Sequence, residues 1–369
     1  MDGTKDDRKN ILIAGEVILD IAPAFLGEPV RRLEERLIPG RAMLMGKCSI
    51  YAGAMGNTAL AVKRLGGSPI LAGRIGDDLF GKVFLKLMEE LQVESALTVD
   101  QKADTPYSIG LSVPGIDRMF LYYPDAAWRF TGQEVSDELL EEACILHFGY
   151  PMAMKRMYEE AGKKTTALLR RGKQQGAVTS MDFCFIDEME EGPHQDWRAI
   201  LENAGPYLDI FAPSIEELMY YIDRENYKRF MEGEGEFLDK IDFEKDVEPL
   251  ADYLLGIGIK IVVIKCGIKG IYLKTAPFEA IRQMAERLPI SEIEWGGQRL
   301  LQPAYPVKQV VSAAGAGDVT IAAFLLALEK GLDPETSLKL AARAGARCVM
   351  SVDSYSNLIP LEELLKEID

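Results

Sequence analysis

Short, unbroken apolar runs, each closed by glycine or a small polar residue, constrain this chain more than any other feature. ILIAG at residues 11–15 is the first, and similar runs recur as PILAG, CILHFG, GAVTSMD, LDIFAPS and KIVVIKCG. A strand with one wet face would alternate apolar and polar residues; these do not, so each expects burial on both faces. They alternate with amphipathic helical stretches such as 79–91 and 152–172. The pattern predicts an α/β fold, a doubly wound, mostly parallel sheet flanked by helices. Two regions break the rhythm, 17–52 and 105–123, where YSIGLSV and RMFLYY alternate like antiparallel strands. They are expected to form a small β-sheet lid, discontinuous in sequence, on a main domain of residues 1–16, 53–104 and 124–369. The charge-dense segment 223–248 and the stretch 275–302 are expected to be surface insertions, the second holding a helix over AIRQMAERL.

The charge balance narrows the partners. With 58 acids against 42 bases the formal net charge is −16, a field that repels polyanions and argues against nucleic acid or an anionic membrane surface. A small anion remains admissible, because a few backbone N–H groups and one metal ion reverse the field locally. Five scattered cysteines without a C-x-x-C pair fit a reducing cytosol. The charged start MDGTKDDRKN lacks the apolar core of a signal peptide, and the most apolar stretch, 319–328, falls short of the ~20 residues of a membrane span. A cytoplasmic protein is expected. Only His147 and His194 are present, so chemistry must run on carboxylates, lysines and backbone amides.

The most informative segment is VVSAAGAGDVTIAAFLLALEKG, residues 310–331. A strand over PVKQVV is expected to lead into Gly315, Ala316 and Gly317, with an apolar helix starting immediately after Asp318. Glycines at a helix start let backbone N–H groups approach a ligand, and with the helix dipole they make an anion hole fit for a transferring phosphoryl group. Asp318 beside it is placed to accept a proton from an attacking hydroxyl; the alternative is a turn whose aspartate merely caps the helix. Upstream, YAGAMGNTALAVKRLGGSPILAGRIGDDLFG, residues 51–81, makes a tight turn at Gly53 and Gly56 into a helix whose first residues include Asn57, suited to grip a polyol. GDDLFGKV satisfies G-x-x-x-x-G-K but has Val83 where a P-loop needs a hydroxyl, and is expected to start a helix. Cys144 and His147 bracket an apolar strand and are assigned no chemistry.

In this order and at this spacing the two glycine stretches resemble the signature regions of the ribokinase-like (PfkB) carbohydrate kinase family. ILIAGEVILD looks like the family's first strand, TPYSIGLSV and DRMFLYYPDAAWRF like its lid strands and following loop, LHFGY like the next strand, PSIEE like its magnesium-linked acidic motif, and VVIKCGIKGIYL like its late strand pair. The resemblance implies an ATP-dependent kinase acting on a hydroxyl of a small sugar. Asp318 would be the general base and Gly315 to Gly317 the anion hole. Asp20, Gly53 and Asn57 would grip the sugar; Lys265, Gly267 and Ser214 would line the nucleotide site; Glu217 would serve Mg2+ or its water shell. A homodimer through the lid strands is open. Ser312-Ala313-Ala314 replace the common Asp-Thr-Thr, which removes the acid relatives place near a monovalent cation. Ser214 stands for the usual Asn, Lys265 for Thr, Ala52 for the first glycine, and Asp125 and Ala127 for the usual loop glycine and asparagine. A nucleoside kinase, or a kinase fold that binds without turnover, is the alternative.

Overall fold

Thirteen strands among the described residues divide into two sheets. The structure is a computed structural model describing residues 9–116, 118–232 and 234–368; the N-terminal MDGTKDDR, Asp117 of the lid motif, Gly233 of the first insertion and Asp369 lie outside them. In chain order the strands are β1 (Asn10–Gly15), β2 (Val17–Phe25), β3 (Met45–Ala54), β4 (Ser68–Gly76), β5 (Glu94–Asp100), β6 (Tyr107–Leu111), β7 (Met119–Tyr123), β8 (Ala143–Gly149), β9 (Val178–Met181), β10 (Ile210–Phe211), β11 (Ile261–Lys265), β12 (Ile271–Thr275) and β13 (Arg299–Gln302). The large sheet runs β13-β12-β11-β10-β9-β8-β1-β4-β5, parallel from β11 to β5, with β12 and β13 antiparallel at the far edge. The apolar runs became its centre because helices cover both faces, leaving no side for polar residues: β8 and β9 are buried at every position.

The small sheet, β3-β2-β6-β7, pairs β2 antiparallel with β3 and parallel with β6. Glu16 alone separates β2 from β1, and β3 runs straight into the helix Met55–Arg64. At this junction the Glu16 N–H donates to the Gly149 carbonyl at 2.8 Å, and the Glu16 carbonyl accepts from Met55 N–H at 3.0 Å.

Three local expectations need correction. PVKQVV forms no strand; Val310 and Val311 are exposed, and the Val311 and Ser312 amides donate to the Val349 carbonyl instead of a ladder. The segment 223–248 is not a bare surface insertion, since its helices Arg224–Met231 and Phe237–Lys240 bury Phe230 and Phe237, and Val247 is buried beyond them. The stretch 275–302 likewise anchors itself with Trp295, among the largest fully buried side chains. The helix expected over 152–172 is Lys155–Gln174, with the backbone leaving helical geometry at 159–162.

The chain winds outward from β1 to β5, then returns to β8 and winds the other way, so strand order reverses between β1 and β8. In such sheets the crevice beyond the strands' carboxyl ends at the reversal is where ligands bind. Glu16, Tyr150 and Asp182 each stand one residue past a strand that ends at this edge, and Lys265 closes β11.

Candidate active site

The helix Ala316–Glu329 begins from Gly315, whose φ of 73° is left-handed. A side chain there would be strained and would put its Cβ 2.6 Å from that of Ser354. No side chain caps this helix start, so the amides of Gly317 and Asp318, which have no carbonyl to bond within the helix, face the crevice as donors. Ala316 is different from expectation: its N–H is spent on the Ala313 carbonyl at 3.3 Å.

Asp318 is buried in this first turn. Its Oδ2 accepts from Asn57 Nδ2 at 3.0 Å and its Oδ1 from the Tyr150 hydroxyl. Burial raises its pKa to about 6, against the opposing pull of the Tyr150 and Asn57 hydrogen bonds and of Lys265. A helix cap would turn its carboxylate onto its own backbone; Asp318 instead faces two side chains from other elements. Asn57 is itself held, its Oδ1 accepting from Ser354 Oγ at 2.7 Å, which leaves one amide hydrogen for a ligand.

Lys265 ends β11 with Nζ 2.5 Å from Asp182 Oδ2. A Cβ on Gly317 would lie 3.2 Å from that Nζ, so the ammonium stands against the glycine turn. Burial alone would lower its pKa; Asp182 and Glu217 overcome that and hold it above the ordinary value. Ser214 pairs with Lys265 through an isolated parallel bridge and caps the helix Ile215–Ile222 in a reciprocal box: Ser214 Oγ accepts from Glu217 N–H at 3.1 Å, and Glu217 Oε2 accepts from Ser214 N–H at 2.8 Å. Glu217 thus has one oxygen committed to the cap. Gly267, with φ of 50°, lies exposed just beyond.

On the other side of Asp318, Asp20 on β2 accepts from Ser108 Oγ at 2.5 Å. It packs over β3 at Gly53, where any Cβ would collide with its carboxylate. Burial raises its pKa to about 6. Glu16, absent from the expected set, is buried at the sheet junction, and the Tyr122 hydroxyl of β7 donates to its Oε1. Burial pushes its pKa up to about 8, and Glu190, Asp20 and Asp318 add repulsion.

The Glu16 shift makes a testable statement about stability. Between about pH 4.5 and 8 the folded chain keeps a proton that the unfolded chain has released, so stability falls as pH rises through that window. Glu16→Gln is neutral at every pH, and its Tm is expected to gain on wild type from about pH 5 to 8 and then level off. A constant difference across a thermal-shift pH series would show that Glu16 is ionised in the folded chain.

Glu16, Tyr150 and Asp182 share a signal that was readable, since each is the first residue past a buried parallel strand. Tyr122 gave none. The P-loop lookalike is a helix start, Asp78 Oδ1 accepting from Gly81 N–H at 2.7 Å. His147 is buried with Nδ1 2.9 Å from Ser180 Oγ and is held neutral by burial, its pKa near 3.

Residues 30–360 match the profile of the pfkB family carbohydrate kinases. The chain belongs to that family. It is 24% identical over 356 residues to a probable fructokinase-5 of Arabidopsis thaliana, covering 95% of this chain and 93% of the relative. The ribokinase of Arabidopsis thaliana complexed with ribose and ATP superposes with a TM-score of 0.70 at 19% identity, covering 98% of this chain and 99% of that one. A putative ribokinase II of E. coli in complex with ATP and Mg2+ gives 0.69 at 19%, covering 98% of each. The fold is ribokinase-like, and the protein is an ATP-dependent carbohydrate kinase. Among the described residues no helix is long and apolar enough to cross a membrane.

Proposed function

We propose that this kinase transfers the γ-phosphoryl group of ATP to a hydroxyl of a small neutral sugar, with Asp318 as the base. The observation that carries the reading is Asp318 itself: a buried carboxylate beside uncapped helix amides, oriented by Asn57 and Tyr150 from two other elements. Asp318 takes the proton of the attacking hydroxyl while the Gly317 and Asp318 amides and the Lys265 ammonium meet the charge on the transferring group. Gly315 shapes the turn and Ala316 carries it forward. Catalysis of this kind rests on positioning and charge stabilisation.

The sugar lies between Asp318 and the small sheet, over Gly53, gripped by Asp20 and by the remaining Asn57 hydrogen. The small sheet, within 17–52 and 105–123, acts as the lid on the α/β domain. Fructokinase and ribokinase relatives support a neutral sugar, and so do the carboxylates of Asp20 and Asp318, which repel an acid. The phosphates lie along Lys265, Ser214 and Gly267. Mg2+ fits as a phosphate-bound ion: no cluster of three or more metal-ligating side chains exists among the described residues, and Glu217, half committed to its cap, suits the ion's water shell. Bound there, the ion would neutralise phosphate charge. Phe120 and Leu121 of β7 and Ile50 of β3 are exposed apolar residues on the small sheet, and a second copy of the chain is the proposed cover. A cytoplasmic enzyme agrees with five free cysteines.

The test is sugar-dependent ATP consumption with Mg2+ across neutral pentoses and hexoses, sugar acids and nucleosides. Turnover of a neutral sugar is expected, and its loss on chelation. Turnover of nucleosides alone would replace this reading with the nucleoside-kinase alternative.

A further inference from the structure

Resting on that reading, we propose that Glu16 is a further sugar-contacting residue: the Tyr122 hydroxyl holds one oxygen of its carboxyl, and the other, Oε2, meets an oxygen of the bound sugar. Tyr122 donates to Oε1. Among the described residues nothing bonds Oε2. Glu16 is only 5% exposed, yet Oε2 is not one of the wholly enclosed polar atoms without a partner, so it reaches the open crevice. A polar atom this confined costs free energy until something bonds it.

Two sets of contacts put that oxygen at the sugar site. The first runs through the main chain. The Glu16 N–H donates to the Gly149 carbonyl at 2.8 Å, next to Tyr150, and the Glu16 carbonyl accepts from Met55 N–H at 3.0 Å, two residues before Asn57. Tyr150 and Asn57 are the residues that orient Asp318. The second set runs across the small sheet. Asp20 is in register with Ser108 and Ser108 with Tyr122, so the three side chains leave one face in a row. Ser108 bonds Asp20, and Tyr122 bonds Glu16. Residues 16, 18 and 20 also alternate with buried Val17 and Leu19, which turns Glu16 the same way as Asp20. The base end and the lid end of the sugar site meet at this carboxyl.

The groups facing Glu16 decide its form. They are Tyr122 from β7, Glu190 from the segment after β9, Asp20 from β2, Asp318 from the helix Ala316–Glu329, and Cys184. None is a cation. Burial first, and then the repulsion of Glu190, Asp20 and Asp318, outweigh the Tyr122 hydrogen bond and raise the pKa to about 8. Near neutral pH the carboxyl therefore keeps its proton, and because Oε1 accepts from Tyr122 the proton is on Oε2. A ring oxygen or a hydroxyl of a sugar accepts from it; a carboxylate would have no such donor.

The alternative is a clasp between the two sheets with no part in binding. With D-fructose and D-ribose as probes, Glu16→Ala is expected to raise sugar KM about tenfold, with kcat and KM for ATP within about twofold of wild type. Glu16→Gln offers an amide N–H2 where the acid has its O–H, and should recover most of the loss near neutral pH. On the alkaline side, kcat/KM for the sugar should fall in wild type as pH rises through about 8 and stay level in Glu16→Gln. A clasp would move Tm and both KM values together and give the two proteins one profile. If Glu16→Ala fails to fold by circular dichroism, Tyr122→Phe frees the carboxyl to turn and is expected to raise sugar KM several-fold while KM for ATP holds. Sugar KM of the folded variant within about threefold of wild type, KM for ATP rising in step with it, a glutamine variant as impaired as alanine, or coincident alkaline profiles would each overturn the proposal. Wild type that consumes no ATP with these or any other neutral sugar would instead bring down the kinase reading, a separate outcome.

Discussion

Asparagine in place of Asp318 is expected to lower kcat by at least about 10²-fold while ATP binding stays nearly unchanged. The amide keeps the shape and an oxygen for Asn57 Nδ2, its N–H2 meets the Tyr150 hydroxyl once that hydroxyl turns to accept, and the proton acceptor is lost. In the free enzyme this carboxyl sits at about 6 because burial disfavours its charge, so kcat/KM for the sugar should rise with pH through about 6 and then flatten. Stability should move the other way. Between about pH 4 and 6 the folded chain holds a proton that the unfolded chain has lost, and the native state weakens as pH climbs through that window. Asp318→Asn, neutral throughout, should therefore melt no lower than wild type at pH 7.5, and higher if the charge dominates. An inactive variant with an unchanged or raised Tm fits a base held at a cost to stability. A variant keeping more than about a tenth of wild-type turnover contradicts the assignment, because such catalysis is worth 10²-fold or more.

The large sheet was legible where it is buried on both faces. ILIAG, PILAG, CILHFG, GAVTSMD, LDIFAPS and KIVVIKCG all became strands of it, since two covered faces leave a continuous apolar run. At the edges the signal failed. β5, ESALTVD, and β13, RLLQ, expose much of their length, and their polar residues hid them. PVKQVV failed in the opposite sense: its valines suit a strand, but the Val311 and Ser312 amides donate to the Val349 carbonyl just past a helix instead of to a strand.

The candidate site divides in the same way. Asp318, Gly315, Asn57, Asp20 and Gly53 are local in sequence to glycine turns and strand ends with a recognisable pattern, and in the structure Asn57 bonds Asp318 beside Gly315 while Asp20 packs on Gly53. Asn57 illustrates what local pattern misses. Its role as a partner of Asp318 spans 261 positions, and nothing within its own helix announces it. Glu16 sits inside the quoted motif ILIAGEVILD beside Asp20, yet its burial follows only from the junction of two sheets. Tyr122 has no pattern at all, because its bond to Glu16 depends on where β7 ends up against that junction.

Lys265 provides the second large effect, and its pairing with Asp182 decides how it must be tested. Its ammonium is among the described lysines the one that stands against Gly317, charged and largely shielded from water. A compact fixed charge there follows the phosphoryl group through transfer, with no reorganisation needed as charge shifts. Removing it should lower kcat/KM for ATP about 10²-fold while sugar binding changes little. Lys265→Met alone would leave the Asp182 carboxylate buried without its partner, a lesion that destabilises a fold whatever the lysine does in catalysis. The informative variant is Lys265→Met with Asp182→Asn, which removes both charges together. A control lysine must be free of the fold, which excludes Lys269, two residues past Gly267, since its Nζ donates to the Ile241 carbonyl at 2.7 Å and to that of Asp239 at 3.3 Å. Lys82 serves better. It is well exposed, belongs to the P-loop lookalike GDDLFGKV, and should tolerate methionine without effect on ATP kinetics. If the double variant keeps kcat/KM for ATP within about threefold of wild type, Lys265 exists to neutralise Asp182, and the phosphates are met by the helix amides.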